Sequence, residues 1–135
     1  MSSAPGSTTL APQNLVMTAT VRSELIAVVA ASGNLPPSAF TGLVPGESFY
    51  AYDPVTRVYW AGAGLVPSPA SLQAEVIVQD DGSYLLFDRP AGGSWKAHDV
   101  GLAGIAGTRC PVQPPASILS LWDWAPGTCR PRALG

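Results

Sequence analysis

The chain has two cysteines, Cys110 and Cys129, and how they are used limits what its C-terminal quarter can become. They stand in matched settings, Cys110-Pro111 and Cys129-Arg130-Pro131, at the two ends of one unit. A bridge closing a loop of about twenty residues restricts the unfolded chain by roughly 3 kcal/mol. Two thiols are too few for a tetrahedral zinc site, and His98, the single histidine, is the only side chain at hand to assist them. Paired, the cysteines require an oxidising compartment. The alternative is two unrelated buried thiols in a reducing one.

A chain of 135 residues suits one domain. At that size folding hides roughly two thirds of the surface the unfolded chain exposes. The residues are 47% hydrophobic and 12% charged, which argues for a packed core and against a charged disordered chain. Arg22, Arg57, Arg89, Lys96, Arg109, Arg130 and Arg132 are scattered and the net charge is −2, so the dense positive face of a nucleic-acid binder is missing. The longest helical apolar stretch, Val16 to Ala31, is interrupted by Arg22 and Glu24, so no integral membrane span is expected. Residues 1–14 are rich in Ser, Thr, Pro, Ala and Gly and lack the charged and apolar regions of a signal peptide. They read as a flexible tether, with a single domain over 15–135.

The 14 Gly and 14 Pro cut that domain into short elements. Leu15, Val21, Leu25, Ile26, Val28 and Val29 mix three- and four-residue spacings, which predicts an amphipathic helix. It starts near Thr18 or Thr20 and is ended by Gly33-Asn34 with Pro36-Pro37 beyond. Leu35 to Gly46 reads as a loop. From Glu47 the period becomes two, in aromatic and β-branched segments that predict strands over Ser48–Asp53 and Arg57–Leu65 about a turn at Asp53-Pro54-Val55-Thr56. A third strand is expected where Leu72, Ala74, Val76 and Val78 alternate with polar residues, although Ile77 departs from the pattern. Asp81-Gly82 is a two-residue hairpin signal leading to Ser83–Arg89, and Pro90-Ala91-Gly92-Gly93 leads to a fifth strand, Ser94–Val100. Pro115 to Trp122 reads as a short helix with Pro at its first position, inside the cysteine pair. The expected class is α+β: an N-terminal helix packed on a five-stranded antiparallel meander, as in cystatin-like or NTF2-like rolls, with a short C-terminal helix closed by a disulfide. A small β-barrel with flanking helices is the alternative.

No constellation carries evident chemistry. His98 beside Asp99 lacks a nucleophile in any recognised elbow, and Glu47, Asp53, Glu75, Asp88 and Asp99 occur as acids do on any wet sheet face. Asp80-Asp81-Gly82 lacks the further acidic positions of a calcium loop, and no helix follows Gly62-Ala63-Gly64 to make a phosphate cradle. No catalytic, metal or cofactor site is expected. What stands out is aromatic: Phe49, Tyr50, Tyr52, Tyr59, Trp60, Tyr84, Phe87 and Trp95 on strands, with Trp122 and Trp124 in the tail. Large rigid rings on a partly exposed face favour contact with protein or glycan, against the competing reading that they fill the core. Tyr50, Tyr52, Tyr59 and Trp60 are the candidate binding residues.

The stretch Tyr50-Ala51-Tyr52-Asp53-Pro54 with Tyr59-Trp60-Ala61 carries a resemblance. It is joined by Gln79-Asp80-Asp81-Gly82-Ser83-Tyr84, Trp95, Gly101, Cys110-Pro111 and the segment from Leu121-Trp122 to Cys129. Over residues 18–131 the chain resembles small secreted or lipid-anchored proteins of actinobacteria, including mycobacterial lipoprotein families. That resemblance implies a signal or lipobox cysteine upstream of Ser2, which this sequence does not show, and it transfers no catalytic residue. The expected function is a secreted or cell-envelope interaction module that binds a protein or envelope component. A ligand carrier or small enzyme with a pocket between helix and sheet is one alternative, and a structural component of a surface or virion assembly is another. Denaturing the native protein in iodoacetamide before intact-mass measurement should give no adduct without reduction and two adducts after it. Two adducts without reduction would show free thiols.

Overall fold

The computed structural model describes residues 11–81, 84–100 and 110–132. Thr18 starts the first helix, α1 (Ala19–Ser32), because its hydroxyl accepts the backbone N–H of Val21 at 3.2 Å. The helix ends where Asn34 takes φ +57° and the N–H of Leu35 reaches back to the carbonyl of Ala30 at 2.8 Å. This closing pattern satisfies the last carbonyls and folds Leu35 against the helix's own core.

A six-stranded antiparallel sheet is built around one long strand, β4 (Val58–Pro67). The hairpin from β3 (Phe49–Asp53) into β4 is the expected one. Asp53, 2% exposed, accepts the N–H of Val55 at 3.1 Å and the hydroxyl of Thr56 at 2.7 Å, while Arg57 turns the corner at φ +61°. β5 (Tyr84–Pro90) pairs with β4 over residues 58–64, and β6 (Lys96–Asp99) pairs with β5. Two strands fall outside the expectation. β2 (Phe40–Leu43) forms within the expected loop, after a 3₁₀ turn at Pro37–Ala39, and pairs with the far end of β4. β1 (Gln13–Asn14) forms within the expected tether and pairs with Ala51 and Tyr52.

The third expected strand is a helix, α2 (Leu72–Asp81). Ser71 caps it by accepting the N–H of Ala74 at 3.2 Å. Four apolar residues at a spacing of two also make two i, i+4 pairs, which is how both readings fit one pattern. In the helix Ala74 and Val78 face inward, while Leu72 and Val76 are 74% and 44% exposed. Asp81 ends α2, so no strand leads into the expected Asp81-Gly82 turn, whose Gly82 and Ser83 lie outside the described residues.

Both sheet faces are covered. Leu25, Val29 and Ala30 of α1 and Ala74 of α2 pack on Ala61, Ala63, Leu65 and Phe87 from one side. From the other, α3 (Ala116–Trp122) and the segment after it bring Ile118, Leu119, Trp122, Trp124 and Cys129 onto Ala51, Trp60, Tyr84 and Leu86. The Cys110–Cys129 disulfide closes this second layer, with Cα atoms 5.9 Å apart. The class is α+β, with an antiparallel sheet, three helices and the disulfide among the described residues. None of the described helices is long and apolar enough to cross a membrane.

Candidate functional site

Register decides which of the candidate side chains meet. Tyr52 is paired with Tyr59 across β3–β4, and Tyr59 with Arg89 across β4–β5, so the three stand in one row on the α1 side of the sheet. The Tyr52 and Tyr59 ring centres are 4.6 Å apart. Tyr50, two residues along β3 and on the same face, stacks against Tyr59 at 6.1 Å. All three tyrosines are half-buried. Trp60 is not with them: as the neighbour of Tyr59 it points to the other face, where it is 6% exposed in the core beneath α3. The structure therefore brings Tyr50, Tyr52 and Tyr59 together and separates Trp60, as the two-residue period of a strand requires.

Arg89 organises the row. Its guanidinium carbon lies 4.2 Å above the Tyr59 ring and 5.4 Å from the Trp95 ring, in the range of cation–π attraction. Its Nε is buried without a hydrogen-bond partner, and no described acid forms an ion pair with the side chain. Trp95, at the end of the turn from β5, is itself held from two sides. Its indole N–H donates to Glu24 of α1 at 3.0 Å, and its ring meets Phe87 edge to face at 6.5 Å. Burial pushes the Tyr50 phenol above its ordinary value, and the hydrogen bond and charge of Arg89 offset part of that rise.

Beside this row an open cleft of about 440 Å³ separates α1 from the β5–β6 turn. Glu24, Ala27 and Val28 form one wall; Arg89, Gly93, Ser94 and Trp95 form the other. Spacings of three and four put the α1 residues on one helix face. Elsewhere between α1 and the sheet, described apolar side chains pack into one cluster.

His98 lies on the opposite sheet face, and its Nε2 is 2.6 Å from Asp88 Oδ1, tying β6 to β5. Asp88 is its diagonal neighbour across the β5–β6 pair. No group of three or more potential metal ligands occurs among the described residues. Arg89, Trp95 and Glu24 were not among the candidate binding residues. A parity count would have placed Arg89 on one face of β5, but its pairing with Tyr59 depends on a register set across α2. The chain matches no family model, no curated protein and no solved structure.

Two phenols give the site's surroundings a readable pH dependence. Tyr84, buried beneath Trp124 with its hydroxyl donating to the carbonyl of Glu47 at 3.0 Å, is pushed far up by burial, and Tyr50 is raised for the same reason. The folded protein holds these protons more tightly than the unfolded chain does, so their contribution is fully present below pH 10.0, the ordinary tyrosine value, and is lost as pH rises above it. A spectrophotometric titration of the four tyrosines should find Tyr84 ionising only as the protein unfolds. A single reversible step for all four near the ordinary value would contradict its burial.

Proposed function

We propose that this protein is an extracytoplasmic binding module, acting in secretion or at the cell envelope, that holds a protein or envelope component against the Tyr50, Tyr52 and Tyr59 surface. The observation that carries the reading is the row of half-buried tyrosines continued by the ring-clamped Arg89 and bordered by an open cleft. Tyrosine and arginine are enriched at recognition hot spots, and a tyrosine ring buries a large area with only two torsions to fix. Support for the location is the Cys110–Cys129 disulfide, which persists in oxidising compartments. The resemblance to secreted and lipid-anchored actinobacterial proteins points the same way. The reading includes no catalytic step.

The finer architecture we propose is a roll of the cystatin-like or NTF2-like kind, supported by α1 lying against one face of the antiparallel sheet. The cleft favours a second reading, a carrier of small ligands, because it opens between helix and sheet where such rolls place their pockets. His98 lies on the other face and takes no part in it.

Tyr52→Ser tests the surface reading directly. Tyr52 is half-buried and its described ring contact is Tyr59, so the variant should melt within a few degrees of the native protein. Immobilised on a support, it should lose a species that the native protein retains from a detergent extract of the producing cell's envelope. Equal retention by both proteins, or unfolding of the variant, would sink the proposal.

A further inference from the structure

We infer that the cleft between α1 and the β5–β6 turn is a carboxylate-binding site, in which Arg89 receives the carboxylate of an amino acid or peptide C-terminus and Glu24 receives its adjacent N–H. This rests on the reading that the Tyr50–Arg89 end of the sheet is a recognition surface. The guanidinium of Arg89 is the starting point. Tyr59 and Trp95 lie against it, the Tyr50 phenol shares a hydrogen bond with it, its Nε has no partner, and none of the described acids forms an ion pair with it. A partly desolvated cation without a counter-ion is costly, and an anion entering the cleft would remove that cost. The rings also fix the guanidinium plane, and a fixed fork suits a planar carboxylate with two parallel acceptors.

The opposite wall narrows the class. Glu24 lies across the cleft with Oε1 held by the Trp95 indole N–H, so its negative charge is kept at the site. It would repel a phosphate or a second carboxylate and attract an ammonium or amide donor. A cation on one wall and an anion on the other suit a ligand with acceptor and donor side by side, as at the end of a peptide. Ala27 and Val28 make the helix wall apolar, which fits an aliphatic side chain beside that carboxylate, and about 440 Å³ is room for a residue or two. Glycine at position 93 and serine at 94 leave the turn side of the cleft unobstructed.

The test is a nitrogen-15 NMR titration of the full chain with three probes: N-acetyl-alanyl-valine, the same dipeptide as its C-terminal amide, and free valine. The free-acid dipeptide should saturably shift the Gly93 and Ser94 amides and the Trp95 indole N–H. The amide should bind about tenfold more weakly or worse, since a charge-assisted pair is lost. Arg89→Lys should weaken the acid by a similar factor, because it keeps the charge and loses the fork. Valine binding as well as the dipeptide would identify a free amino acid as the source; dipeptide binding alone would identify a peptide terminus. Equal binding of acid and amide, or no shift at Gly93, Ser94 and Trp95, would overturn the inference, and that comparison holds even where an Arg89 variant fails to fold. Because no envelope partner is present, a silent cleft would leave the Tyr52→Ser result standing, and loss of the surface reading would leave an observed acid-over-amide preference intact.

Discussion

The layers on this sheet depend on β4 having almost no side chain at its middle. The run Ala61-Gly62-Ala63-Gly64 is a poor strand by intrinsic preference, since alanine and glycine are both depleted in sheets. What holds it extended is company: β3 and β5 lie along its two edges and β2 extends the pairing at its far end. What selects such small residues is the closeness of what lies above and below. Ala61 and Ala63 are fully buried on the side of α1, and a methyl group at Gly62 would lie 2.6 Å from the Tyr84 hydroxyl and 3.1 Å from the Trp124 ring. Two helical layers can approach one strand only if that strand yields the space.

That arrangement divides the aromatic residues by parity. One set, Phe49, Tyr84, Trp122 and Trp124, interlocks beneath α3 with ring centres 4.8 to 6.0 Å apart and is closed off by the disulfide. The other set, Tyr50, Tyr52 and Tyr59, lies on the α1 side of the sheet and is left half-buried. The two aromatic sets thus occupy opposite faces of the same strands. The link between them is β4, whose Tyr59 and Trp60 are adjacent in sequence and serve different layers.

Features set by near neighbours were legible in the sequence. Thr18 and Gly33-Asn34 bound α1, the Asp53 loop made the β3–β4 hairpin, and Pro115 stood at the start of α3 within the cysteine pair. Where one pattern served two structures, the residues alone did not decide. Leu72, Ala74, Val76 and Val78 alternate as a strand would, yet a serine cap and the packing of Ala74 and Val78 on the sheet made them a helix. Pro36-Pro37 hid the short β2 that follows them. The candidate site was half legible for the same reason. The tyrosines were visible as a cluster, whereas Arg89 joins them through a pairing whose two strands are separated by α2.

If β4 is narrow because both of its faces are packed against, a pair of glycine-to-alanine variants should separate in thermal melting. Gly42, on the edge strand β2, has nothing within 4 Å of where a methyl group would go, so Gly42→Ala should melt close to the native protein or slightly above it. Gly62→Ala must displace a tyrosine hydroxyl already committed to the Glu47 carbonyl, or the Trp124 ring, and should cost about 1–3 kcal/mol, lowering the melting temperature by several degrees. Equal stability of the two variants would contradict the claim, because it would mean that Tyr84 and Trp124 do not press on the strand at all.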